Sequence, residues 1–125
     1  MNLIAKWFPN WTLRRELRRR VNQGVELLTV WSPLWFERVD LERLDLGNCR
    51  QCVLGQLTGD FNFGLTKTGL SHHAAENYGF TLPPGASVSE MRKRPSEWKM
   101  LTAEWRRQIN RLRNLNSLHY WQIQA

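Results

Sequence analysis

Between residues 98 and 112 the large apolar side chains fall at Trp98, Leu101, Trp105, Ile109 and Leu112, in steps of three and four. At 3.6 residues per turn those steps place all five on one side of a helix. A strand would scatter them over both faces. The segment therefore reads as an amphipathic helix, with Gln108 an alternative to Ile109 on the stripe. A stripe with two tryptophans and three aliphatics has to be covered by other parts of the chain. Arg106, Arg107, Arg111 and Arg113 flank it. Pro95-Ser96-Glu97 just upstream reads as the helix start, because proline is favoured at the first helical position.

A second stripe supplies the cover. Leu13, Leu17, Val21, Val25 (or Gly24) and Leu28 repeat at helical spacing, with Thr12 or Asn10 as cap. The predicted helix runs from about 12 to 29. Arg14, Arg15, Arg18 and Arg19 fall off its apolar side. Between the two stripes the signals are short. Ser32-Pro33 starts a brief helix carrying Leu34, Trp35 and Phe36. Asp40 can cap another turn, and 45–48 reads as a turn. Residues 49–65 are the least polar stretch; Cys52, Val53, Gln56 and Leu57 sit as on a buried helix, and 61–65 also reads as a short strand. Gly55 and Gly59 are four apart, a spacing that permits close helix–helix approach. Ser71 caps a third helix through Ala74 and Ala75; Gly79 stops it, and Phe80 packs back on it. Residues 81–89, with Pro83-Pro84-Gly85, form the main loop.

The expected fold is thus mainly α: one domain over residues 1–125, with two long amphipathic helices, short central helices and room for a minor hairpin. Residues 1–11 (Leu3, Ile4, Trp7, Phe8, Trp11) form an apolar arm expected to dock on the body. Residues 12–113 are the helical body. Residues 114–125 (Leu115, Leu118, Tyr120, Trp121, Ile123) are an apolar tail that packs or awaits a partner.

Charge is segregated along the chain. Residues 1–21 carry six Lys/Arg and one acid, residues 92–125 eight and two, and residues 22–91 four and eight. Two basic ends bracket an acidic middle, within an overall +7. A shaped potential of this kind selects acidic protein surfaces or nucleic acid. Arg14/Arg18 and Arg15/Arg19 are like-charge pairs one turn apart, which cost a few tenths of a kcal/mol unless an anion faces them. The candidate binding residues are Arg14, Arg15, Arg18, Arg19, Arg107, Arg111 and Arg113. Trp11 or Trp121 could stack bases. The competing reading is a solvated face whose arginines are bridged to Glu37, Asp40, Glu42 and Asp45.

Little else points to chemistry. Cys49-Arg50-Gln51-Cys52 has redox or zinc spacing, with His72-His73 further on. Zinc needs four converging ligands, and adjacent histidines on a helix diverge by about 100°. The simpler reading makes Cys52 a small buried hydrophobe and Cys49 a loop thiol. His72 and Glu76 would share a helix face, yet no acid–base pocket is legible around them. No phosphate-cradling glycine loop and no nucleophile or zinc-protease motif occurs. The expectation is a protein that is not an enzyme, with no cofactor and no metal. No secretory signal or membrane-length apolar run is present, and two cysteines without a signal suit a reducing compartment, so a cytoplasmic location is expected.

One resemblance adds a setting. Trp35-Phe36-Glu37-Arg38-Val39-Asp40-Leu41-Glu42-Arg43-Leu44-Asp45-Leu46, then Cys52-Val53-Leu54-Gly55-Gln56-Leu57-Thr58-Gly59-Asp60-Phe61, Gly69-Leu70, Gly79-Phe80 and Leu101-Thr102-Ala103-Glu104-Trp105-Arg106 resemble small uncharacterised proteins of actinobacterial phages and their hosts. The resemblance covers a little over half the chain and implies no activity or site residue. Those proteins usually have acidic ends, so the arginines at both ends of this chain would be its specialised part. The resemblance supplies the setting of a phage or mobile-element accessory protein resident in the host cell, and the lack of any catalytic motif makes the expectation a non-catalytic one. The basic face then suggests binding to an acidic host protein or nucleoprotein, with stoichiometric inhibition as one form of that binding and direct binding of DNA or RNA as the alternative.

Overall fold

The computed structural model describes the backbone of residues 11–84 and 88–124, and the side chains of 11–84 and 94–118. Helix α1 spans Trp11–Trp31, and a single 3-10 turn follows at Trp35–Arg38. Three short helices come next: α2 (Val53–Thr58), α3 (Phe61–Thr68) and α4 (His72–Asn77). Helix α5 spans Val88–Gln124. The fold is a single all-α domain, and no strand occurs among the described residues.

The short helices are set by their ends. Asp60 accepts the Asn62 N–H at 3.0 Å and Ser71 accepts the Ala74 N–H at 3.0 Å, each satisfying a donor that a helix start leaves unpaired. Cys52 fills the same position for α2, its Sγ accepting the Gly55 N–H at 3.2 Å. Gly79 has φ +72 and follows α4; Phe80 N–H returns to the Ala75 carbonyl at 3.0 Å, which closes the helix. Residues 61–65, expected as helix or strand, are helical because the Asp60 cap and the left-handed Gly69 bound them as α3.

The core forms where α1, α4, α5 and the 3-10 turn meet. Trp105 is fully buried, stacks on Phe80 at 5.4 Å and meets Trp35 edge-on at 5.9 Å. Its indole N–H donates to the Gly79 carbonyl at 2.6 Å, so the ring is buried with its one polar group satisfied. Gly24 lets α1 approach: a Cβ there would lie 2.8 Å from the Trp105 ring and collide with the Tyr78 carbonyl. Leu17, Val21 and Leu28 of α1 and Leu101 and Ile109 of α5 are buried, as the two stripes require.

Several expectations are corrected. Helix α5 opens at Val88, upstream of Pro95, which sits inside it. Proline's fixed φ is itself helical, so the helix continues through it at the cost of one hydrogen bond. The helix also runs on through most of the segment expected as a tail, to Gln124. The Gly55/Gly59 pair makes no helix–helix seam. Gly55 yields to the backbone at Cys49 and Arg50, and Gly59 is the left-handed stop of α2. Asp40 and Asp45 cap their turns as expected, accepting from the N–H groups of Glu42 and Gly47. The apolar arm lies outside the described residues except for Trp11, which opens α1 and is exposed. Among the described residues no helix is long and apolar enough to cross a membrane.

Candidate functional site

The first half of α1 lies along α5, and arginines from the two ends of the sequence meet there. Arg14, Leu17 and Arg18 of α1 face Met100, Ala103, Glu104 and Arg107 of α5 across a groove of about 280 Å³. Spacing explains the alignment. Arg14 and Arg18 are one turn apart on α1, as Met100, Glu104 and Arg107 are within two turns on α5.

Glu104 organises this groove. Its carboxylate takes a hydrogen bond from Arg107 at 2.7 Å and lies 3.5 Å from Arg18 Nε, so it joins the two helices. Gln108 donates to the same oxygen at 3.3 Å. The Glu104 side chain is only 14 % exposed, whereas Arg18 and Arg107 remain 55 % and 52 % exposed. One largely covered carboxylate thus anchors two guanidinium groups that still face solvent. Arg14 and Arg15 have no carboxylate within ion-pair distance among the described residues.

Arg19 is used differently. It forms a two-pronged pair with Glu16 at 2.5 and 3.2 Å, and Arg20 reaches the same carboxylate at 2.9 Å. The Arg19 hydrogen bond, with Arg20 beside it, holds the Glu16 carboxyl down at about 2. Arg111 donates to Gln108 at 3.3 Å on its own helix. Arg113 points inward: it donates to the Phe36 carbonyl at 3.0 Å and to the Val39 carbonyl, tying α5 to the 3-10 turn. Arg106, on the same side, donates to the Leu41 carbonyl at 3.2 Å.

The structure thus brings Arg14, Arg18 and Arg107 into one groove, while the exposed Arg15 follows Arg14 on α1 without lining it. It commits Arg19 to Glu16 and Arg113 to the fold. Among the described residues, no ion pair joins Glu37, Asp40, Glu42 or Asp45 to the terminal arginines. Asp40 pairs with Arg43 at 3.6 Å, Glu37 accepts from Asn116 at 3.3 Å, and Asp45 caps its own turn. The neutralising acids are Glu16 and Glu104, which sit inside the basic segments. Their spacing to Arg19, Arg20 and Arg107 was the available sequence signal, while the groove floor of Met100 and Ala103 had none.

The cysteines and histidines stay apart. Cys49 is exposed, Cys52 is buried, and both thiols are free. Burial pushes the Cys52 thiol up to about 11, which suits a packed thiol and not a nucleophile. His72 lies edge-on to Phe61 at 5.8 Å, and His73 is 3.8 Å from Glu76. Of the two histidines it is His73, one position on from the His72 noted for sharing a face with Glu76, that lies nearest that carboxylate. Among the described residues no three His, Cys, Asp or Glu side chains gather as a metal site requires.

A larger open cleft of about 770 Å³ lies between the second half of α1 and the α3–α4 side, where Leu27, Val30, Trp31 and Tyr78 meet Glu26 and Lys67. None of the arginines singled out above lines it.

No protein-family model matches the chain, and no curated protein or solved structure matches it either.

Proposed function

We propose that the protein works without catalysis, by binding an acidic protein surface, or a nucleoprotein presenting one, through the α1–α5 face. The observation that carries this reading is the meeting of Arg14 and Arg18 with Arg107, from opposite ends of the sequence, around one shielded carboxylate. Holding several guanidinium groups together costs self-repulsion, which an anionic partner offsets. Such a face speeds encounter with an acidic target and sets its orientation. In the phage or mobile-element setting that the sequence resemblance suggests, a small protein with such a surface acts stoichiometrically on a host complex, in the cytoplasm.

A second reading is direct binding of DNA or RNA, favoured by the exposed Trp11 one turn before Arg14 and Arg15, an arrangement suited to stacking beside phosphate contacts. Affinity measured against salt separates the two. A log–log slope worth several phosphates on a random oligonucleotide supports nucleic acid. A stoichiometric complex with one host protein, formed after nuclease treatment and lost in Arg14→Glu/Arg15→Glu, supports the first reading. Equal recovery of that complex with the doubly reversed variant would overturn it.

A further inference from the structure

We infer that the α1–α5 groove takes an acidic amphipathic helix, one whose apolar ridge is flanked by carboxylates. This rests on the reading above and specifies the partner's chemistry. The argument is the arrangement of charge and apolar surface in the groove. The walls are cationic: Arg14 and Arg18 on α1, Arg107 on α5. Between them lies mostly apolar lining, the half-buried Met100, Ala103 and the buried Leu17, with the largely covered Glu104 carboxylate beside it. Cations on two sides of an apolar floor complement acids on two sides of an apolar ridge, which is the helix-in-groove mode of recognition. A polynucleotide backbone fits this groove worse. It brings no apolar ridge to the floor, and phosphates running along the groove meet the Glu104 carboxylate between the arginines. A partner helix avoids that repulsion, because its carboxylates reach the rims while apolar side chains lie over the middle. Glu104, already held by Arg107, Gln108 and Arg18, needs no further donor from the partner.

Burying a large apolar side chain in the groove raises affinity by roughly tenfold or more. The experiment uses the full chain and three labelled probes in fluorescence anisotropy at moderate salt. They are a helical peptide with leucines at three- and four-residue spacing among glutamates, a polyglutamate of the same length, and a single-stranded DNA oligonucleotide. The expected result is that the leucine–glutamate peptide binds at least about tenfold tighter than polyglutamate. Ala103→Gln, which puts a polar side chain on the floor without changing charge, should remove that advantage and leave polyglutamate binding unchanged. If both peptides bind equally and both are lost in Arg14→Glu/Arg15→Glu, the helix-in-groove inference is wrong and the basic-face reading stands. Tightest binding by the oligonucleotide, with a steep salt slope, overturns the inference in favour of nucleic acid. Failure of all three probes to bind overturns the inference and the basic-face reading together.

Discussion

Helix α5 meets the Trp35–Arg38 turn on one side and α1 on the other, and arginines serve both contacts. At the turn, Arg113 donates into the Phe36 and Val39 carbonyls and Arg106 into that of Leu41, so guanidinium groups satisfy backbone acceptors. At α1, Arg18 and Arg107 share one carboxylate and keep about half of each side chain in solvent, while Arg14 stands beside them. The first arrangement closes hydrogen bonds within the molecule. The second leaves donors available. Residues of one type, on one helix and within two turns of each other, thus divide between holding the fold and presenting charge, and the division is set by which neighbour lies opposite.

The strongest way to test this division is to perturb the core beneath both contacts. Trp105→Ala removes a ring packed on Phe80 and Trp35 and a buried hydrogen bond to Gly79, and should destabilise the protein by about 3–5 kcal/mol. An unchanged melting temperature would mean that the core lies elsewhere. Gly24→Ala should cost about 1–3 kcal/mol, since a Cβ there meets the Trp105 ring and the Tyr78 carbonyl, although alanine is the better helix former. Stabilisation in chemical denaturation would show that α1 does not pack this closely.

A smaller effect tests the two cysteines. Cys49 should react promptly with a thiol reagent, and Cys52 only on unfolding, because its Sγ is buried, accepts the Gly55 N–H and titrates near 11. Two equally fast thiols would show α2 fraying at its start. The smallest effect concerns pH. Glu16 is held at about 2, below the 4.5 of a free glutamate, so its pairing stabilises fully above the higher value. That contribution is lost as pH falls from about 4.5 toward 2. Glu16→Gln should therefore lower the melting temperature slightly at neutral pH, by progressively less as pH falls below about 4.5, and not at all only once pH is below about 2. The pair is largely exposed, which keeps the effect small.

The long-period features were legible in the sequence. The stripe from Leu13 to Leu28 placed α1 to within two residues at either end, and Ser71, Gly79 and Phe80 marked the start, stop and return contact of α4. These signals are local, and the physics behind them is local too. What was not legible depended on partners distant in sequence. Pro95 reads as a start because a proline's preference is the same at the first helical position, and only the upstream residues, helical from Val88, decide otherwise. Gly24 looks like an ordinary glycine until Trp105 arrives beside it, and Gly79, legible as a helix stop, shows its close approach to Val21 only in the fold. Glu104 has two partners on its own helix, Arg107 and Gln108, whose spacing is visible; its third, Arg18, is on α1 and is revealed only by packing. The inward role of Arg113 likewise depends on carbonyls far upstream.

The division between inner and outer arginines is tested most directly by a crossed comparison of Arg113→Ala with Arg14→Glu/Arg15→Glu, each measured for thermal stability and for anisotropy of the leucine–glutamate peptide. Arg113→Ala should lose about 1–3 kcal/mol of stability, having left backbone acceptors without donors, and should bind the peptide like wild type when folded. The double reversal should hold stability within about 0.5 kcal/mol and lose at least about tenfold in binding. Equal loss of binding in both variants, or a double reversal that binds as wild type does, would contradict the account.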